Sequence, residues 1–226
     1  PTGVLTPAEA DQLFRILGRL KDEGKTIIMI THKLREIMDV TDTVSVMRRG
    51  EMTATVKTAD SSPEELAELM VRAGEVLGIA GVSGNGQTEL LEVLGGMIAA
   101  TSGEIVLNGD SIDLTGAKSD GQSRRKRGIA HVPEDRQREG LIMNFAAWEN
   151  VAFGYHHDPK YQKNRLFMDN AAMKRDTAEK MEHYDVRPPD PMLQAKNFSG
   201  GNQQKIVVAR EIERNPDLLL VGQPTR

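Results

Sequence analysis

Residues 196–209 read Lys-Asn-Phe-Ser-Gly-Gly-Asn-Gln-Gln-Lys-Ile-Val-Val-Ala, a Ser-Gly-Gly-Asn turn that opens a helical run. Ser199, Gly200, Gly201 and Asn202 place a hydroxyl and unblocked backbone N–H groups at a helix N-terminus, where the macrodipole favours a phosphate. Outward toward the N-terminus, Gly81-Val82-Ser83-Gly84-Asn85-Gly86-Gln87-Thr88 has the spacing G-x-x-x-x-G-x-[ST], with glutamine where a phosphate loop carries lysine. This loop follows the apolar run Val76–Ala80 and precedes the helical pattern Thr88–Leu94. Strand, glycine loop and helix in that order form a phosphate cradle. Two anion-binding elements in one chain are far more specific than either alone.

The remaining pattern predicts an α/β fold. Thr6-Pro7-Ala8-Glu9 is a capping box with proline at the first helical position, and Leu13, Phe14, Leu17 and Leu20 recur at helical spacing before Gly24. Thr26–Ile30 reads as a buried parallel strand and Lys33–Val40 as a helix. Thr43–Val56 alternates around Arg49-Gly50 as a hairpin, and Ser62–Met70 is a helix with Ser62 as N-cap and Glu65 three residues on. Glu104–Leu107 meets Asn108-Gly109, the strongest short hairpin signal. Gly128–Val132 and Leu218–Val221 complete the buried strands, and the polar stretch from 140 to 195 forms a helical subdomain. Strands alternating with helices argue a doubly wound parallel core.

Composition narrows the class. At 226 residues and 38% apolar, the chain can bury one good core or two modest ones. With 29 basic against 33 acidic residues, no net field recruits nucleic acid or an anionic membrane. No apolar run approaches about 18 residues, so no segment reads as a membrane span. The absence of cysteine excludes a disulfide framework and fits a reducing compartment.

Taken singly, each motif has a structural alternative. The glycine loop could be a tight connection, Ser-Gly-Gly a common loop, and a histidine at a strand end a satisfied structural one. Glu134-Asp135-Arg136 could be a surface ion pair worth roughly 0–1 kcal/mol. The run Arg124-Arg125-Lys126-Arg127 has no interleaved aromatics and reads as a solvated helix face. Their conjunction across the chain outweighs these alternatives.

With these residues in place, the chain resembles the ATP-binding subunit of ABC importers of the simple-sugar and nucleoside type, in which two nucleotide-binding halves are fused. Gly81–Thr88 is similar to the Walker A loop, Phe198–Asn202 to the signature, Leu218–Gln223 to the Walker B strand, and Thr31-His32 to the switch-histidine strand end. Val132–Arg136, followed by Glu139-Gly140-Leu141, resembles the Q-loop region, with Glu134 where many relatives have glutamine. The resemblance implies a P-loop NTPase (RecA-like) parallel core with a helical subdomain. The motif order is circularly permuted, because the D-loop-like Pro1–Pro7 and His32 precede the Walker A loop. Residues 1–70 therefore read as the end of a first half, and 71–226 as the front of a second. The chain opens on Pro1, so it reads as a fragment. The resemblance also implies an antiparallel β segment with an adenine-stacking aromatic between Met70 and Val76. That segment is missing, and no Tyr, Phe or Trp stands between Phe14 and Phe145.

What the resemblance implies for chemistry is mixed. Phosphoryl transfer in such sites needs a lysine on the phosphates, a hydroxyl on Mg²⁺, an aspartate behind the metal and a carboxylate that orients water. Only the hydroxyl, Thr88, is kept: Gln87 replaces the lysine, Gly222 the aspartate and Gln223 the catalytic glutamate. Losing one charge-assisted contact costs about 1.5–3 kcal/mol, which is roughly 10- to 150-fold in affinity. The expected nucleotide set is Gly81, Ser83, Gly84, Asn85, Gly86, Gln87, Thr88 and Glu134, with Thr88 as metal ligand and ATP with Mg²⁺ bound weakly or not at all. This site is expected not to hydrolyse ATP. Ser199, Gly200, Gly201, Asn202 and His32 would instead complete a competent site in a partner half. Implied partners are that second half and a transmembrane permease reached through the Q-loop and helical subdomain, at the cytoplasmic face of the membrane. The permuted order allows Thr26–Ile30 to pair with Leu218–Val221, within one chain or by swapping between two copies. Loss of the β segment is expected to expose a sheet edge. Glu134-Asp135-Arg136 with Val221–Arg226 resembles the nucleoside type more than the ribose type. The other class is a structural half, insensitive to nucleotide, that only presents its signature surface.

Overall fold

A computed structural model describes residues 7–30, 40–48, 51–58, 74, 76–80, 86–101, 104–114, 120–164 and 166–223. They fall into two compact units, Pro7–Glu134 with Pro216–Arg226, and Asp135–Asn215.

The first unit is built on a six-stranded sheet. Its strands are β1 (Thr26–Ile30), β2 (Thr43–Arg48), β3 (Glu51–Lys57), β4 (Val76–Ala80), β7 (Ile129–Val132) and β10 (Leu218–Gly222), in the order β3-β2-β4-β1-β10-β7. All neighbours are parallel except the β2–β3 hairpin. The pairing of β1 with β10 joins the two ends of the chain, in register Thr26↔Leu218 to Ile30↔Gly222. On its other side β1 pairs with β4, the strand that leads into the glycine loop. The expected pairing of Thr26–Ile30 with Leu218–Val221 therefore forms within one chain, and β1 lies between β4 and β10. The sheet edges among the described residues are β3 and β7.

The reason these strands sit centrally is their continuous apolar character, buried on both faces. Ile28, Ile30, Leu77, Ile79, Ile129, Leu218 and Leu220 form one core with Leu91 of α2 (Gln87–Leu94) and Ile112 of β6 (Asp110–Asp113). Ile27, Met29, Val76, Leu219 and Val221 alternate with them and are equally buried. Helix α1 (Pro7–Asp22) packs on β1 through its side of the unit and buries Leu13, Leu17 and Leu20. β5 (Glu104–Leu107) and β6 form the expected hairpin, with Asn108 and Gly109 both at positive φ. The arginine run is only partly a solvated face. α3 (Gly121–Lys126) carries Arg124 at 1% exposure, where its Nε donates to Leu94 O at 3.2 Å.

The second unit is the helical one. It contains α4 (Ala147–Ala152), α5 (Asn170–His183), α6 (Gly200–Ile212), a π-turn over Arg136–Gly140 and a short hairpin, β8 (Gln162–Asn164) with β9 (Phe167–Met168), that the sequence reading did not include. Asn150 anchors the entry to α4: its Oδ1 accepts from Ile142 N at 2.8 Å, and its Nδ2 faces three backbone carbonyls. Tyr161, 1% exposed, packs with Ala152 and Met173 while its hydroxyl bonds Asp176.

Candidate nucleotide site and signature turn

In the first unit, the sequence-predicted groups Thr88, Glu134 and Gln223 converge, and Gln87 precedes Thr88 at the start of α2. Gly86 adopts the left-handed conformation, φ 95°, that lets the chain turn into α2, and Leu90 N donates to Gly86 O at 2.9 Å to start the helix. Gln87 is buried and Thr88 exposed, so the helix aims the hydroxyl outward. Thr88 Oγ1 donates to Glu134 Oε2 at 3.0 Å. Gln223 Nε2 donates to Glu134 Oε1 at 2.6 Å. Glu134 is thereby brought to both positions from sites distant in sequence, because β7 and β10 pair up to Val132↔Val221.

Gln223 stands in unusual backbone. Its φ is +40°, its N–H donates to Ile30 O at 2.6 Å, and its Oε1 is buried without a partner. Next to it, Gly222 is closed to any side chain. A Cβ there would lie 2.7 Å from Leu91 Cδ1 and 2.9 Å from Glu134 N. A side chain at position 222 would therefore have to enter space that Leu91 and the Glu134 backbone already fill.

Mg²⁺ takes hard oxygen ligands, usually one or two carboxylates with waters and phosphates. The Thr88 hydroxyl and the Glu134 carboxylate fit that requirement as a two-ligand set, once their mutual hydrogen bond is exchanged for the ion. Among the described residues no group of three His, Cys, Asp or Glu side chains could hold a metal alone. His32 and the loop residues Gly81, Ser83, Gly84 and Asn85 lie outside the described residues, as do Ser62–Met70 and most of Pro1–Pro7.

In the second unit the expected Ser199–Asn202 turn is well formed. Ser199 caps α6, accepting from Asn202 Nδ2 at 2.9 Å and from Asn202 N. Asn202 Oδ1 accepts from Arg187 N at 2.8 Å, tying the turn to the preceding loop. Ser199 is exposed and Gly201 buried, with the Ser199 hydroxyl oxygen turned onto Asn202. Sequence reasoning missed the brace beneath. Gln203, 3% exposed, donates to Ala195 O and Phe198 O at 3.1 Å each and accepts from Gln137 Nε2. A polar residue at the first inward position of α6 is the signal that could have found it.

Asp135 caps the π-turn, accepting from Gln137 N and Arg138 N. Burial lowers the Arg136 pKa, opposed by Asp135. Glu134-Asp135-Arg136 is thus not simply an exposed ion pair: Glu134 accepts from Thr88 and Gln223, and Asp135 caps the turn.

A phosphate-loop helix and a strand-end carboxylate in one unit, with a signature-type helix in the other, is a specific combination. Residues 65–226 match the profile of the ABC transporter family. The chain belongs to that family. The ABC transporter match leaves β1 outside its span, although β1 is central in the sheet. The chain is 39% identical to the nucleoside import ATP-binding protein NupA of Lactococcus lactis subsp. cremoris, over all of this chain and 52% of that protein. It is 37% identical to the guanosine import ATP-binding protein NupO of Bacillus subtilis, over all of this chain and 52% of that protein, and 31% to the ribose import ATP-binding protein RbsA of Clostridium tetani, over all of this chain and 51% of that protein. The chain spans about half the length of these curated relatives. The first alignment runs over 269 positions against 226 residues here, so the relative carries residues with no counterpart in this chain. Among solved structures, the dimeric MJ0796 bacterial ABC transporter cassette superposes with a TM-score of 0.50 at 25% identity, covering 64% of this chain and 59% of that one. The P-loop NTPase core expected from sequence is therefore present. No helix among the described residues is long and apolar enough to cross a membrane.

Proposed function

We propose that the chain is part of the ATP-binding component of an importer for a nucleoside or sugar, supplying a signature turn and a degenerate nucleotide site. The observation that carries the degenerate reading is the closure of Gly222 by Glu134, with both Glu134 oxygens held by Thr88 and Gln223. The nucleoside, glucose and ribose import proteins among its relatives support the transport assignment, with the nucleoside and glucose types more similar than the ribose type. The boundary between the two halves falls near residue 70, where the surplus residues of the relatives would be accommodated.

At this site Thr88 and Glu134 would hold Mg²⁺, and bound Mg²⁺ would neutralise phosphate charge. The remaining groups can orient but not drive transfer. Gln87 offers neutral hydrogen bonds where a lysine would offer charge, and Gln223 cannot accept a proton from water. The competent site is the one that Ser199–Asn202 and His32 complete with a partner half. The permease contact lies with the Q-loop region and the helical unit.

The alternative is a half that never holds nucleotide, favoured by the fact that Glu134 already satisfies Thr88 without a ligand. Calorimetric titration of the chain with ATP and Mg²⁺, reaching millimolar nucleotide, separates the two. Saturable heat lost in Thr88→Ala supports the degenerate site. No heat from folded protein assigns the chain to the structural class.

A further inference from the structure

The hairpin β8–β9 presents three consecutive large apolar residues to solvent: Leu166, Phe167 and Met168 are 86%, 65% and 54% exposed. All described residues of both strands are exposed, so the hairpin has no buried face of its own. An isolated two-stranded hairpin is marginal in water. This one is held at its base instead. Asp169 N donates to Tyr161 O at 2.7 Å, Tyr161 is buried and bonded to Asp176, and Asn164 Oδ1 accepts from Leu166 N and Phe167 N. An ordered base that displays an apolar tip is a surface built for a partner.

Charge selects the partner. From 160 to 176 the sequence carries Lys160, Lys163, Arg165, Lys174 and Arg175 against Asp169 and Asp176, a positive segment in a chain of net charge −4. Lys160 is occupied by Asp176, and Lys174 lies over the Trp148 ring. Lys163 and Arg175 are exposed, and Asp169 is the acid near both: the Ala172 N–H, then these two charges, lower its pKa. Cytoplasmic loops of membrane proteins carry an excess of Lys and Arg, so a basic tip is poorly matched to them. Anionic headgroups offer the opposite sign over an apolar layer, the pairing on which interfacial segments rely. We propose that the Leu166–Met168 tip enters the headgroup region of an anionic bilayer, with Lys163 and Arg175 on the lipid phosphates.

Because the chain has no cysteine, Phe167→Cys carries a single environment-sensitive dye, and Met168→Cys is a second attachment point should the first disturb folding. Vesicles of phosphatidylcholine with phosphatidylglycerol are expected to shift the dye emission to the blue, while phosphatidylcholine alone, or the dye at Glu179→Cys, gives no shift. The unlabelled chain is expected to sediment with the anionic vesicles. Leu166→Ser with Phe167→Ser abolishes that, and Lys163→Glu with Arg175→Glu weakens it at least about tenfold. Absence of binding at low salt, equal binding to neutral vesicles, or sedimentation unaffected by both double variants overturns the proposal. A blue shift produced by a permease-loop peptide without vesicles overturns it in favour of a protein partner.

Discussion

Gln223 Nε2 donates to Glu134 Oε1 at 2.6 Å, so an uncharged amide, just past the end of β10, faces the Glu134 carboxylate. A glutamate at 223 would face Glu134 as a like charge, and Thr88 Oγ1 on the other oxygen could not relieve both. Gly222, Gln223 and Glu134 therefore form one self-consistent set, each compatible with the other two.

Gly222→Asp is expected to destabilise the chain by about 1–3 kcal/mol, the usual cost of inserting atoms into a filled space. Leu91 can rotate away from the new Cβ, but Glu134 N at 2.9 Å is backbone and must move. Denaturant unfolding measures the loss. Phosphate release with ATP and Mg²⁺ stays at background, because the added carboxylate arrives by displacing the other one.

Glu134→Gln separates the roles of charge and hydrogen bonding. With EDTA present, removal of a negative charge near bound phosphate is expected to raise ATP affinity about fivefold, since one like-charge pair a few ångströms apart in a wet site costs about 1 kcal/mol. With Mg²⁺ present the sign reverses, because the ion loses its carboxylate ligand. Titration in both buffers reads the crossing; parallel changes would remove Glu134 from the metal.

Much of the fold was legible because apolar runs without alternation mark strands buried on both faces, as in Thr26–Ile30, Val76–Ala80 and Leu218–Val221. Asn108-Gly109 was legible because few pairs tolerate positive φ twice. That position 222 is closed to a side chain was not legible, because it depends on how β7 brings Glu134 beside β10. Arg124 misled because charge in a helix implies solvent, whereas its stem covers the end of α2 and its Nε finds Leu94 O. The β8–β9 hairpin left no signal: Gln-Lys-Asn and Phe-Met are too short to alternate, and what fixes them is Tyr161 and Asp176 nearby.

The helical unit should weaken in acid through Asp176. Burial works to raise its pKa, but hydrogen bonds from Lys160, Lys180 and Tyr161 outweigh it and bring the value down to about 2 from 3.8. A depressed carboxyl pKa adds stability that is complete above the unfolded pKa and lost as pH falls through the folded one. About 2 kcal/mol should therefore disappear between about pH 4 and pH 2. Asp176→Asn is expected to flatten that limb and to cost stability at neutral pH, since Lys180, 6% exposed, loses its counter-ion.

The Ser199–Asn202 turn depends on Gln203, buried beneath it. Gln203→Leu keeps side-chain bulk but leaves Ala195 O and Phe198 O without the Gln203 donor, and Gln137 without its acceptor. Leaving a buried polar group unpaired costs about 1–3 kcal/mol, so a loss of about 2–4 kcal/mol is expected in denaturant unfolding. The local consequence is more specific. Phe198 precedes the cap Ser199, and without its carbonyl anchored the turn that aims Ser199 and Gly200 should exchange more freely. Hydrogen exchange at the N–H groups of Gly201 to Gln203 is therefore expected to rise in Gln203→Leu relative to those of Leu219 and Leu220 in β10, whose protection stays the same. An equal rise at both places would mean that Gln203 supports the whole chain rather than the turn.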